Sequence, residues 1–324
     1  MPLHPEIARF LASLPHEESA PLEPAPLDPA AMRADEESHV PALADRHPVA
    51  HVTDIVVQTP TGVVPVRVYA DTDAPTSGAV VYFHGGAYFL GSLNTHDDVA
   101  RRLATATGLR VFSVGYRLAP EHPFPAALDD AVGVIDWLIS EGESAGWDGT
   151  TLAVVGDSSG GTIATVAASL LHDRGVDRIT HQVLYYPSVD LDLDLDPKRY
   201  ASMVENAVGF GLETAGIAPF NAFYFTSGAD PLDPRVSPIG RPDLSGLPAA
   251  LILTGELDPM RDEGEQYGQR LKDAGVPALV HRYEGAGHGF VQHFAWLPEY
   301  GAAFAETAAF LQTGTAPTPA KALP

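Results

Sequence analysis

Two serines stand side by side in the segment GDSSGG, residues 156–161, directly after the apolar run TLAVV. A serine with glycine two residues before and two residues after it, at a strand-to-helix turn, forms a nucleophile elbow that lifts the hydroxyl above the sheet. Ser158 meets this rule through Gly156 and Gly160, whereas Ser159 lacks the first glycine. The sequence therefore predicts Ser158 as the attacking group in acyl transfer. The alternative interpretation is a glycine-rich turn that serves helix packing or binds a phosphate.

A second pair of glycines precedes the serine in the chain, in the segment HGGAY. Acyl transfer needs hydrogen-bond donors for the negative charge that develops on the substrate carbonyl oxygen. Consecutive glycines let backbone N–H groups approach that oxygen without a Cβ in the way. We expect the N–H groups of Gly85, Gly86 and Ser159 to form this oxyanion hole. His84 is expected to brace the loop rather than act as a base, and a plain tight turn is the alternative.

An acidic loop after a strand-like segment, LILTGELDPM, supplies the candidates for an acid. In hydrolases of this kind the chain order is serine, then acid, then histidine, so the acid must follow Ser158. Glu256, Asp258 and Asp262 compete for the role. Asp258 lies in the loop itself, whereas Asp262 is expected to begin the next helix. The sequence therefore favours Asp258.

A histidine framed by glycines, in GAGHGF, follows the last predicted strand. His288 occupies this frame, and His293 lies close by as a competitor. The glycines and the position after the strand favour His288. In the predicted mechanism Ser158 attacks the acyl carbon, His288 takes and later returns the proton, and Asp258 fixes the imidazole tautomer and stabilises the imidazolium.

These residues need a scaffold, and short apolar runs rich in β-branched residues alternate with helical patterns along most of the chain. Strands that alternate with helices indicate an α/β fold whose mainly parallel sheet is covered by helices on both faces. The carboxyl ends of such strands meet at one edge of the sheet. Because the predicted site residues all follow strands, we expect them to lie together at that edge. The predicted helices cover residues 7–14, 125–142, 162–175, 261–275 and 298–312.

Two stretches interrupt the alternation of strands and helices. Residues 1–50 are rich in proline and acid after a short amphipathic helix, and residues 190–225 are inserted between two strand–helix units. We predict that together they form a cap over the carboxyl edge of a catalytic domain made of residues 51–189 and 226–313. Residues 314–324 have the composition of a disordered tail.

The composition excludes several classes of partner. The chain of 324 residues carries 42 acidic and 19 basic residues, a formal net charge of −23, which opposes binding to nucleic acid and to anionic membrane surfaces. It has no cysteine, which rules out disulfides, thiolate nucleophiles and cysteine metal sites. No apolar run predicts a membrane span, and the N-terminus lacks the features of a signal peptide. We expect a soluble cytoplasmic protein.

The motifs together resemble the hormone-sensitive lipase family of α/β-hydrolases, which includes the bacterial family IV esterases. The resemblance covers residues 50–312 and implies the α/β-hydrolase fold with a helical cap. The family's triad and its oxyanion donors fall on the residues already named. It implies hydrolysis of esters with short to medium acyl chains, no metal or other cofactor, and a homodimer. The segments that carry it are HGGAY (84–88), YRLAPEHPFPAALDD (116–130), GDSSGG (156–161), DPMRDEG (258–264) and GAGHGF (285–290).

Two residues depart from the family pattern, because Ala87 replaces its usual third glycine and Ser159 replaces the alanine after the nucleophile. Neither removes a predicted backbone donor. Aromatic residues near the motifs are candidates for an acyl or aryl pocket, and we predict substrate contacts for Tyr88, Phe210 and Phe290.

The sequence thus predicts a serine carboxylesterase that acts on a small-molecule acyl or aryl ester through an acyl-enzyme. An amidase or peptidase would use the same triad. A non-catalytic small-molecule receptor is the third hypothesis, but receptor relatives in the family have lost the catalytic histidine, whereas His288 is present.

Overall fold

The computed structural model describes residues 3–13, 27–74, 76–192 and 196–313, so the predicted tail lies outside the described residues. Within these ranges eight strands form one sheet. The strands are β1 (His51–Thr59), β2 (Gly62–Ala70), β3 (Thr76–Phe83), β4 (Arg110–Val114), β5 (Trp147–Asp157), β6 (His181–Tyr185), β7 (Ala249–Gly255) and β8 (Ala278–Tyr283). The helices are α1 (Pro5–Ser13), α2 (Pro29–Ser38), α3 (Asp97–Thr107), α4 (Ala126–Glu141), α5 (Ser159–Asp173), α6 (Ala201–Glu205), α7 (Thr214–Asn221), α8 (Arg261–Asp273), α9 (Phe290–His293) and α10 (Pro298–Thr313). Short 3-10 turns span Leu43–Asp45, Pro197–Arg199, Ala222–Phe225 and Pro238–Gly240.

The sheet has the strand order β1-β2-β4-β3-β5-β6-β7-β8. The pairs β1–β2 and β2–β4 are antiparallel, and all the other neighbours are parallel. The parallel strands β3, β5, β7 and β8 therefore end at one edge, and each predicted site segment follows one of them. The predicted α/β fold is confirmed.

Helices cover both faces of the sheet, and alternate strand residues point to opposite faces. In β3, Val81 and Phe83 join a core with α4, α5 and α8, whereas Val80 and Tyr82 join a core with α3 and α10. Burial on both faces explains why the central strands read as continuous apolar runs rather than as alternating ones.

The helix α3 is not among the helices predicted from the sequence. Its buried face includes Asp97 and Arg101, so an apolar periodicity cannot reveal it. The Asp97 carboxylate accepts hydrogen bonds from the Tyr69 hydroxyl at 2.6 Å, from Arg46 at 2.8 Å and from Arg101 at 2.5 Å. This buried ionic cluster fastens α3 to β2 and to the chain ahead of β1.

The described helices of the two segments predicted to form a cap are α1 and α2 in residues 1–50 and α6 and α7 in residues 190–225. Residues of α1 and of α7 line the same cavity, as described below. Among the described residues, no helix is long and apolar enough to cross a membrane.

The Asp97 cluster gives a stability prediction. Replacing Asp97 by asparagine leaves Arg46 and Arg101 without their buried carboxylate, and we expect the free energy of unfolding to fall by about 3 kcal/mol in urea titrations. Asp136→Asn is the matched control, because Asp136 pairs with Arg174 at the surface and should cost about 1 kcal/mol or less. Equal losses in the two variants would contradict the assigned role of the cluster.

Candidate active site

Ser158 stands at the sharp turn between β5 and α5. Its backbone has φ of 51° and ψ of −123°, a conformation that costs of order 1–3 kcal/mol and persists only where the surroundings enforce it. A Cβ on Gly156 would overlap the Gly160 carbonyl, and a Cβ on Gly160 would overlap the Phe83 carbonyl. The Ser158 N–H also donates to the Tyr185 carbonyl at 2.9 Å. Glycines are therefore required on both sides of the turn.

Three side chains from different loops form one hydrogen-bonded row. The Ser158 Oγ lies 3.0 Å from His288 Nε2, and His288 Nδ1 lies 2.8 Å from Asp258 Oδ2. Asp258 is fully buried, and its other oxygen accepts from the Met260 N–H at 2.8 Å. The Tyr186 ring packs edge-on against the His288 ring, with 4.9 Å between centroids. The row joins the three residues that the sequence favoured.

The competing acids have other partners. Glu256 accepts from the Gly285 N–H at 2.8 Å. Asp262 lies in the first turn of α8, where it accepts from the Ser202 N–H of α6 at 2.8 Å and from the Arg261 guanidinium at 2.7 Å. Neither carboxylate contacts the imidazole of His288, so of the three candidate acids only Asp258 is hydrogen-bonded to it.

The competing histidine lies on the cavity wall without a contact to the serine. Burial lowers the pKa of His293 to about 4, so its ring is neutral at pH 7. No hydrogen bond joins the ring of His293 to Ser158 or to Asp258 among the described residues.

The HGGAY loop differs from the prediction at Gly85. Its N–H donates to Asp157 Oδ1 at 2.9 Å, so this donor is already engaged within the protein. The expectation that Gly85 donates to the oxyanion is therefore wrong. The N–H groups of Gly86, Ala87 and Ser159 donate to no other residue in the described part of the chain.

The backbone of this loop is itself strained after Gly86. Ala87 and Tyr88 have φ of 47° and 66°, values that residues other than glycine seldom adopt. The Ser159 hydroxyl accepts from the Tyr88 N–H at 3.4 Å, which gives the Ser159 side chain a place between the elbow and the loop. The serine in place of the family's alanine thus braces the loop.

His84, which opens the loop, is also held within the protein. Its Nδ1 donates to the Gly85 carbonyl at 2.8 Å, and its carbonyl accepts from the Tyr116 hydroxyl at 2.7 Å. Burial lowers the pKa of His84 to about 3, so the ring is neutral. This geometry suits a brace and leaves no proton-transfer path to a substrate.

A cavity of about 340 Å³ opens on Ser158 and His288. Phe210, for which we predict a substrate contact, lines it together with residues of α1 and of α7. The predictions for Tyr88 and Phe290 are wrong, because neither side chain reaches the cavity. Tyr88 is buried and stacks on Tyr224 with 3.8 Å between ring centroids, and Phe290 is fully buried against neighbouring tyrosines. The apolar wall is formed by Ile7, Phe10, Leu11, Leu90, Phe210, Leu212, Ile217, Phe220, Met260 and Phe294.

Two further residues shape the site although they lie outside every motif. Asn206, at the end of α6, donates through its side-chain amide to the carbonyls of Glu256 and Asp258 at 3.2 and 3.1 Å. Tyr186 supports the His288 ring and lines the cavity. An isolated asparagine or tyrosine outside a motif carries no signal of this kind. Among the described residues, no cluster of three His, Asp or Glu side chains could hold a metal ion.

Comparisons with known proteins agree with this architecture. The α/β hydrolase fold family matches residues 80–292. The esterase LipI of Mycobacterium tuberculosis is 39% identical over 78% of this chain and 78% of its own length, and the ethyl acetate hydrolase of Pseudomonas putida is 36% identical over 90% and 93%. The crystallised hyperthermophilic esterase from the archaeon Pyrobaculum calidifontis superposes with a TM-score of 0.88 at 39% identity, over 98% of this chain and 100% of that one. The chain therefore belongs to the α/β-hydrolase fold family, and its resemblance to the hormone-sensitive lipase branch of that family is confirmed.

Proposed function

We propose that the protein is a serine carboxylesterase that hydrolyses small neutral esters through an acyl-enzyme. The observation that carries the proposal is the row Ser158–His288–Asp258, which opens on an apolar cavity at the carboxyl edge of the sheet. The relatives named as esterases support ester bonds as the target.

The row is arranged for attack by Ser158 on an acyl carbon. His288 Nε2 takes the proton from the Ser158 hydroxyl as the Oγ–carbon bond forms, and it returns that proton to the leaving alcohol. Asp258 accepts from Nδ1–H, which leaves Nε2 free to act as the base, and its buried negative charge stabilises the imidazolium. Water then repeats the sequence and releases the acid.

The oxyanion hole in this proposal consists of the N–H groups of Gly86, Ala87 and Ser159. Ala87 replaces Gly85 in the set because the Gly85 N–H is engaged by Asp157. Ser159 is the first residue of α5, a helix of 15 residues, so its amide belongs to a helix N-terminus whose dipole favours negative charge. Developing charge on the substrate oxygen is thus met by donors that need no rearrangement.

The cavity favours an uncharged substrate with a short to medium acyl or aryl group. Its walls are mainly apolar, and among the residues that the structure describes no lysine or arginine lines it to pair with a substrate carboxylate. Its volume of about 340 Å³ lies at the small end of the usual range for ligand pockets. A cytoplasmic location and a homodimer stay predictions.

The first test identifies the nucleophile and the bond type. We expect the wild type to hydrolyse p-nitrophenyl acetate, butyrate and octanoate, and Ser158→Ala to lose about 10⁶-fold in kcat. Ser159→Ala keeps its backbone N–H and should retain activity within about tenfold. The matched p-nitroanilides should be poor substrates. Activity that survives in Ser158→Ala but not in Ser159→Ala would reassign the nucleophile, and preference for the anilides would favour an amidase.

The second test identifies the acid. Asp258→Asn should lower kcat by about 10⁴-fold, because the amide no longer enforces the tautomer that leaves Nε2 as a base. Asp262→Asn is the matched control, because Asp262 lies only four residues further along the chain and does not contact His288. It should lower the melting temperature through its lost contacts with α6 while kcat stays within about tenfold. The reverse ranking of the two kcat values would transfer the role to Asp262.

The third test identifies the base. His288→Gln should abolish turnover, whereas His293→Gln should keep the pH–rate profile of the wild type. The physical reason is that burial lowers the pKa of His293 to about 4, so this ring stays neutral across the pH range of a kinetic assay. A shift of the acid limb of the kcat profile in His293→Gln would show that His293 takes part in proton transfer.

A further inference from the structure

The helix α2 lies against the chain that leaves the HGGAY loop, although none of its residues is buried. Asp28 caps its N-terminus by accepting from the N–H groups of Ala30 and Ala31 at 3.0 and 3.2 Å. With no residue fully buried, α2 contributes little to the hydrophobic core. Its side chains instead form hydrogen bonds with the loop and with residues 119–121.

Arg33 supplies the main contact. Its Nε donates to the Phe89 carbonyl at 2.6 Å and its Nη2 donates to the Ala119 carbonyl at 2.5 Å. The same guanidinium forms a two-pronged ion pair with Glu121, at 2.9 and 2.8 Å, which fixes the orientation of the fork. The Ala119 N–H in turn donates to the Tyr88 carbonyl at 2.9 Å. Arg33 therefore ties the loop to the segment that follows Tyr116.

Glu36 and Glu37, one turn further along α2, hold the next part of the loop. The Glu36 carboxylate accepts from the Gly91 N–H at 3.0 Å. Glu37 accepts from the Ser92 hydroxyl and from the Asn94 side-chain amide. The helix α2 thus binds the chain that follows the HGGAY loop in two places. Arg33 donates to the Phe89 carbonyl, and Glu36 accepts from the Gly91 N–H.

The residues between these anchors and the elbow are the strained ones. Ala87 and Tyr88 have positive φ, and such a conformation is kept only where contacts on both sides enforce it. Asp157 and Ser159 hold the start of the loop, through the Gly85 and Tyr88 N–H groups. On the far side the contacts to the Phe89 carbonyl and the Gly91 N–H come from α2.

We propose that Arg33, assisted by Glu36, is a positioning residue for the oxyanion hole. It holds the backbone that follows Ala87 so that the N–H groups of Gly86 and Ala87 point at the carbonyl oxygen of the substrate. This role rests on the proposed function. The positioned N–H groups stabilise the transition state, in which the substrate oxygen carries negative charge. They stabilise the bound ester much less, because its carbonyl oxygen is uncharged. A lysine would not replace Arg33, since one ammonium cannot bond two carbonyls and a carboxylate in a fixed plane.

The test compares Arg33→Met, Arg33→Lys and Glu36→Gln with the control Arg174→Met, which removes an exposed ion pair with Asp136 on α4. With p-nitrophenyl butyrate, we expect kcat to fall by about ten- to a hundredfold in Arg33→Met, with KM within about twofold, because a displaced donor loses transition-state binding. Arg33→Lys and Glu36→Gln should fall between this variant and the wild type. The control should match the wild type.

An inhibitor separates positioning from a general loss of structure. An alkyl trifluoromethyl ketone adds to the Ser158 hydroxyl and places a charged oxygen in the hole, so its affinity should fall by the same factor as kcat/KM in each Arg33 variant. Melting temperatures are measured alongside, and all rates are taken well below them. A normal kcat in Arg33→Met overturns the proposal. So does a lower melting temperature with unchanged inhibitor affinity, or an effect confined to KM.

The same samples distinguish failure of this proposal from failure of the proposed function. A wild type that neither hydrolyses the esters nor reacts with a fluorophosphonate at Ser158 would reject the esterase assignment and Arg33's role with it. A wild type that does both, beside an Arg33→Met variant of equal activity, would reject the role of Arg33 alone.

Discussion

The site depends on a buried carboxylate, that of Asp157, which joins the nucleophile elbow to the oxyanion loop. It accepts from the Tyr82 hydroxyl at 2.6 Å and from the Gly85 N–H at 2.9 Å, and His96 Nε2 lies 3.6 Å away. Burial opposes its charge, but His96 and the Tyr82 hydroxyl outweigh that effect and hold its pKa below the usual value. A buried charge with these partners fixes the distance between the strands β3 and β5 where both end. The same carboxylate therefore links the Ser158 turn to the loop whose N–H groups we propose as oxyanion donors.

A second set of polar contacts joins α6 to the loop that carries Asp258. Asn206 bonds the carbonyl of Asp258, and Asp262 accepts from the backbone of α6 at Ser202. The fully buried Glu263 accepts from the Val189 N–H at 2.8 Å, just ahead of the segment predicted to form the cap, and burial raises the pKa of Glu263 well above its usual value. The loop of Asp258 and the start of α8 are thus bonded both to α6 and to the chain that leads into that segment.

The sequence was informative where a residue type is dictated by local sterics. At the elbow only glycine fits at positions 156 and 160, so the glycine pattern selects Ser158. The positions of Asp258 and His288 after strands select them as the residues that contact one another and Ser158. The fold class follows from the same runs of apolar residues. Contacts set by tertiary structure leave no such pattern in the sequence. The spacing of HGGAY does not reveal that the Gly85 N–H donates to the carboxylate of Asp157, which lies 72 residues later in the chain.

Side-chain direction was the other quantity that the sequence could not supply. The sequence singles out Tyr88 and Phe290 for their aromatic character, but both turn into the protein, whereas Phe210 faces the cavity. An aromatic side chain satisfies either environment, so its type cannot decide between them. The apolar periodicity of the helix α3 is incomplete for a related reason, because its buried face includes the ion pair of Asp97 and Arg101. The directions of these aromatic side chains and the presence of α3 both depend on buried contacts that form only in the folded chain.

Two buried histidines near the elbow are neutral at pH 7. Burial lowers the pKa values of His84 and His293 to about 3 and about 4. Neither contributes positive charge near the serine at neutral pH. In the proposed mechanism, the imidazolium that forms on His288 therefore meets no charge from these two rings and lies 2.8 Å from the carboxylate of Asp258. Because Asp258 contacts His288 and neither of the other two rings, the proposed mechanism assigns proton transfer from Ser158 to His288.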